Sequence, residues 1–218
     1  MPDIPCAVVP PVDAASHRAP VGSCGTTRRT LTNVRIDVWS DILCPFCHLG
    51  RRHLELALEQ FEHRDEVGVV WHSFQLDRTA EPVDDVPAID RVAAKYGIPR
   101  EQMVAQHEQM ARDAASLGLD FQWERPRGGN PYDAHRLIHL AHEQGGNDLQ
   151  GRVKEALLEA YFTQARNVAD HAVLREVAVA AGLDAARVDE VLAGTEFTAD
   201  VHADVAQAQA YGATGVPF

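Results

Sequence analysis

Val34, Ile36 and Val38 alternate with Arg35 and Asp37, the period of two that places successive side chains on opposite faces, and a strand is expected over residues 34–39. Residues 40–43 form a short turn. From Cys44 the apolar positions Leu49, Leu54, Leu58 and Phe61 suit an amphipathic helix running to about residue 63, with Pro45 in the first turn, where its missing N–H costs nothing. Residues 67–74 are dense in β-branched and aromatic side chains and form a second expected strand. Strand, helix and strand make a βαβ unit with its reactive turn after the first strand.

From residue 89 to residue 192 the period becomes helical and stays so. Leu174, Val177, Ala178 and Ala181 fall at i, i+3, i+4 and i+7, and Val153, Leu157 and Tyr161 follow the same rule in the helix before. Gly97, Gly118, Gly145, Gly146 and Gly182 supply the stops. Five or six helices are expected in this stretch. A last helix over residues 198–211 leads into residues 212–218. Residues 1–33 show neither period and are rich in Pro, Ser, Thr, Gly and Ala; they are expected to be a disordered tail on which Cys6 and Cys24 stay unpaired.

Composition narrows the partners. Of 218 residues, 45% are hydrophobic and 24% charged, with a formal net charge of −12, which opposes binding to nucleic acid or to an anionic membrane surface. No run approaches the ~20 apolar residues of a membrane span. The first eleven residues lack a basic segment and are interrupted by Pro5, Pro10 and Pro11, a poor signal peptide, so a cytoplasmic location is expected. Four cysteines, two of them spaced C-x-x-C, fit a reactive dithiol in a reducing compartment better than a structural disulfide framework.

The candidate chemistry lies in Cys44, Pro45, Phe46 and Cys47. A thiol becomes a nucleophile as its thiolate, and helix N-terminal N–H groups aimed at sulfur favour that form. Cys44 is placed for this role. Cys47, one turn along, can attack a mixed disulfide at Cys44 and release the product. Zinc is disfavoured because no second C-x-x-C or histidine pair falls at finger spacing. His48 completes a C-x-x-C-H haem-attachment pattern, whose chemistry normally follows export. His135, His139 and His142 share a helix face, but eleven histidines in an acidic chain make such stripes common, so neither metal nor cofactor is expected. Asp41 is expected to cap the helix that starts at Cys44, with proton relay to Cys47 as its other role.

Trp39, Ser40 and Asp41 before the cysteine pair, a helical stretch containing Asn130 through Leu137, Tyr161 and Phe162 followed by Asn167 through Asp170, and Gly215, Val216 and Pro217 together resemble the DsbA-like family, in particular its FrnE-type cytosolic branch. The resemblance covers residues 34–218. It implies an α/β, thioredoxin-like fold interrupted by an all-helical insertion: thioredoxin-like residues 34–85, insertion 86–193, and a return at 194–218. It further implies that Cys44 attacks, that Cys47 resolves, that Pro217 follows a cis peptide bond opposite them, and that Pro45, Phe46, Val216 and Pro217 contact substrate, with the Val216 backbone pairing with it. Phe46 departs mildly from the branch, which commonly has Trp there. A thioredoxin sheet also has a hairpin and covering helix after the cis-proline loop, so a chain stopping at Phe218 is expected to be truncated and weakened in that half. The implied activity is a protein-disulfide oxidoreductase or isomerase, acting on protein or small-molecule thiols and disulfides with a separate reducing or oxidising partner. A glutathione-dependent isomerase or transferase of the same fold, and an inactive peptide-binding module, are the alternatives; two intact thiols count against both.

Overall fold

The structure, a computed structural model, describes residues 34–81 and 83–218. The expected tail, with Cys6 and Cys24, lies outside the described residues. Strand β1 (Val34–Ser40) is followed by helix α1 (Pro45–Glu59), a 3-10 turn (Arg64–Glu66) and strand β2 (Val67–Ser73). The strands pair in parallel, from Val34 opposite Val67 to Ser40 opposite Ser73. Helix α1 stops at Glu59, short of the expected residue 63, and Phe61 beyond it is exposed.

Helices α2 (Ala88–Tyr96) and α3 (Arg100–Ser116) lie between two short strands, β3 (Val83–Pro87) and β4 (Arg127–Gly129), which pair antiparallel. This small sheet is absent from the sequence expectation.

 The two strands begin at residues 83 and 127 and are five and three residues long, too short for either period to register. Gly97, in the left-handed conformation at φ 63°, ends α2, the position where a side chain would be strained.

Helix α4 (Tyr132–Phe162) is broken at Gly145 and Gly146, and α5 (His171–Ala180), α6 (Ala185–Ala193) and α7 (Thr198–Ala210) follow. The break falls at the expected glycine stop, yet the chain resumes helix directly. The expected apolar face is present: Val153, Leu157, Tyr161, Leu174, Val177 and Ala178 are all buried. Helix α4 runs through the main core, packed on β2, α5, α6 and α7. None of the described helices is long and apolar enough to cross a membrane.

Among the described residues the main sheet has two strands, and groups from other elements satisfy its edges. The Gln150 carboxamide on α4 accepts from Trp71 N–H and donates to the Trp71 carbonyl, both at 2.9 Å, occupying the place of a neighbouring strand. Asp204 on α7 accepts from Ser73 N–H at 2.7 Å and from a ring nitrogen of His72 at 2.7 Å. The other His72 nitrogen meets Asp37 at 2.7 Å, and the Trp39 ring stacks on the imidazole at 4.4 Å. On the outer edge of β1, Trp39 and Phe218 exchange main-chain hydrogen bonds at 2.9 and 3.1 Å.

The His72 clamp makes stability depend on pH. Burial alone lowers the imidazole pKa, but the hydrogen bonds to Asp204 and Asp37 outweigh it and raise the value above the ordinary one. Its contribution is therefore complete below the unfolded histidine pKa of about 6.5 and is lost as pH rises through the higher folded value. Asp204 behaves oppositely: burial raises its pKa, while hydrogen bonds from His139 and His72 more than reverse this, so its contribution is present above the usual carboxylate range and is lost in acid. Urea unfolding at pH 6 is expected to show His72→Phe less stable than the parent by about 2 kcal/mol, with the difference shrinking towards pH 9. A difference that is constant over that range refutes the charged clamp.

Candidate active site

Cys44 is the N-cap residue of α1, with Pro45 at its first position. The proline is preorganised for helix and withholds no needed donor. The amides of Cys47 and Phe46 favour the Cys44 thiolate, and the Cys47 N–H also donates to the Cys44 carbonyl at 3.1 Å. As a thiol, Cys44 donates to the Val216 carbonyl at 3.4 Å. As a thiolate it accepts from the Cys47 thiol, the largest influence holding its pKa below the ordinary value; burial opposes this. The same hydrogen bond, with burial, drives the Cys47 pKa strongly upward. The more acidic of the two thiols is thus Cys44.

Both thiols are free, and both are buried, Cys44 at 3% and Cys47 at 1% exposure. The Cys44 sulfur opens into a cavity and is roofed by residues 214–216. The peptide bond between Val216 and Pro217 is cis. Pro217 packs on α1 where Gly50 leaves room, its Cγ lying 3.4 Å from where a Cβ would stand. Phe46 is 60% exposed. The structure therefore brings together Cys44, Cys47, Pro45, Phe46, Val216 and Pro217, although the last two stand some 170 residues along the chain from the cysteines.

Asp41 does not cap α1, which has no side-chain cap. Its carboxylate accepts instead from Leu43 N–H at 3.1 Å and Leu76 N–H at 2.7 Å, tying the turn before the cysteines to the segment after β2. Burial raises its pKa, but His135, 3.6 Å away, and these two amides hold it below the usual value. His135 is fully buried, and burial lowers its own pKa. His48 stacks on Phe162 at 5.3 Å, neither ring nitrogen is hydrogen bonded, and burial followed by the Arg51 charge pushes its pKa down to about 4. His139 binds Ser73 and Asp204 rather than joining His135. Among the described residues no group of three or more His, Cys, Asp or Glu is placed to hold a metal ion.

Sequence reasoning missed Lys154. It is 1% exposed on α4, and its ammonium donates to the Ser40 carbonyl at 3.4 Å. Burial lowers its pKa to about 8, against the opposing pull of Cys47, Asp41 and Cys44. The available signal was its spacing: Leu157 and Leu158 follow at i+3 and i+4, which puts a lysine on the apolar face.

A probable DsbA oxidoreductase, SCO1869, from Streptomyces coelicolor is similar at 40% identity and a TM-score of 0.79, over 84% of this chain and 78% of that one. The cytosolic disulfide reductase DsbM from Pseudomonas aeruginosa, solved with GSH, shares the fold at 18% identity and a TM-score of 0.59, over 84% of each chain. The uncharacterized protein YwbO of Bacillus subtilis (strain 168) is 29% identical over 162 residues, 73% of this chain and 72% of that protein. The family model for the DSBA-like thioredoxin domain matches residues 35–218, and with the parallel βαβ unit whose helix starts directly after Cys44 it assigns the chain to the DSBA-like thioredoxin family.

Proposed function

We propose that the chain is a cytoplasmic protein-disulfide oxidoreductase of FrnE type that works through Cys44 and Cys47. The observation that carries this reading is the opposed acidity of the two thiols at the N-terminus of α1, which supports one as attacking group and the other as a retained proton donor. The Cys44 thiolate attacks a substrate disulfide; a Cys44–substrate disulfide forms, and one substrate sulfur leaves as thiolate. Cys47 then gives its proton to the neutral Lys154 amine and attacks the Cys44 sulfur. The Cys44–Cys47 disulfide forms, and the second substrate sulfur leaves, taking a proton back from the Lys154 ammonium. The substrate gains two electrons and the dithiol loses them; the reverse sequence oxidises a dithiol. A separate thiol or disulfide partner resets the pair.

Lys154 suits the proton step because a lysine near pKa 8 is available as a base at neutral pH to a useful fraction. Asp41 keeps a negative charge beside it, which favours the ammonium once formed. Pro45, Phe46 and Val216 line the substrate entrance beside Cys44, with Pro217 following Val216 through the cis bond.

Three outcomes are expected. Cys47→Ser accumulates mixed disulfides with substrate and Cys44→Ser accumulates none, by mass spectrometry; equal trapping by both removes the resolver mechanism. Insulin reduction by dithiothreitol is accelerated by the parent chain and not by Cys44→Ser. In Lys154→Met, resolution of a preformed Cys44 mixed disulfide slows on the order of ten- to a hundred-fold at pH 7 and recovers at higher pH, while alkylation of Cys44 changes far less. An unaltered pH profile of resolution rules out Lys154 as the proton acceptor.

A further inference from the structure

A cavity of about 650 Å³ opens beside Cys44, within the range of ~300–1,000 Å³ that suits a small organic ligand. Cys44, Phe46 and Val216 stand at one end, and helices α2 and α3 supply much of the wall. Cys47 does not line it, so a ligand there meets the attacking sulfur alone.

The wall is chiefly apolar and aromatic. Phe121 and Phe162 contact each other at 5.3 Å between ring centres, and His107 lies 6.0 Å from Trp123. Met103 and Met110, one on each side of His107 along α3, also face the space. Thioethers adapt to irregular apolar shapes and interact well with ring edges. Burial lowers the His107 pKa, in keeping with an uncharged lining at this point.

The charges that do face the cavity disfavour an anion. Asp41, Asp77 and Asp113 line it against Arg91 and Lys95, three carboxylates to two cations. The Lys95 ammonium already donates to the Leu76 carbonyl at 2.8 Å. A tripeptide thiol such as glutathione carries two carboxylates and one ammonium, and bringing that net negative charge here costs desolvation with no cationic surplus to offset it.

We infer that this cavity selects small, uncharged thiols and disulfides bearing an apolar group of ring size, held between α3 and the Phe121 and Phe162 rings with their sulfur at Cys44. The inference rests on Cys44 being the attacking group. It makes the α2 and α3 segment the specificity element of the site.

The test uses 2-pyridyl disulfides carrying benzyl, 2-hydroxyethyl or glutathionyl groups, which share one leaving group. Attack by Cys44 on the carrier sulfur forms the Cys44 mixed disulfide, breaks the bond to the pyridyl sulfur and releases pyridine-2-thione, which takes up the proton. The protein is the full chain with Cys6→Ser, Cys24→Ser and Cys47→Ser, and N-acetylcysteine gives the intrinsic reactivity of each probe. Relative to N-acetylcysteine, the benzyl probe is expected to react at least tenfold faster than either other probe, and Val92→Asp, which puts a carboxylate on the α2 wall, is expected to reduce that preference. Equal relative rates for all three, or a preference for the glutathionyl probe, overturn the substrate class while leaving Cys44 as the nucleophile. Thione release no faster than from the further variant Cys44→Ser overturns the underlying reading itself.

Discussion

A two-stranded sheet buried in a protein leaves main-chain N–H and C=O groups on both outer edges, and each must find a partner or cost free energy. The rest of this structure depends on how that requirement is met. Gln150 satisfies Trp71, Asp204 satisfies Ser73, and the Phe218 main chain satisfies Trp39. Each bond fixes a different part of the chain against the sheet. The first seats α4, the second seats α7, and the third holds the segment after α7 alongside β1. The roof over Cys44 is thus positioned by hydrogen bonds to the same strand that delivers the cysteine.

Seating α4 through Gln150 has an electrostatic result, because Lys154 is one turn further along. It enters the region beneath the thiols, near Asp41 and the Ser40 carbonyl. Buried charges in apolar surroundings interact more strongly than charges in water. The dithiol therefore sits over a group whose charge responds to its own. On its other side the Cys44 sulfur faces the apolar cavity. Cys44 lines that cavity and Cys47 does not, while both thiols act electrostatically on Lys154.

The same logic explains why Asp41 is not a helix cap. A role as helix cap would engage the carboxylate with local amides alone. Its bond to Leu76 instead bridges the two sides of the site, and the helix terminus keeps its amides for the Cys44 sulfur.

What the sequence by itself determined is everything carried by short spacing. The alternation at Val34, Ile36 and Val38, the helical period through Val153 and Leu157, and the C-x-x-C pair beginning at a helix start are local properties of the chain, and local propensity and burial pattern express them directly. The motif resemblance extended this to Pro217, whose nearness to Cys44 no spacing could show. Only the tertiary structure decided which polar side chains are taken inside. Gln150 and Asp204 read as ordinary helix-surface residues, because nothing local distinguishes a polar group facing water from one facing an unpaired strand edge. The burial of Cys44, the partners of Asp41 and the cavity walled by α2 and α3 arise in the same way, from contacts between residues far apart in the chain, where the energetic preference belongs to the pair and not to either residue alone.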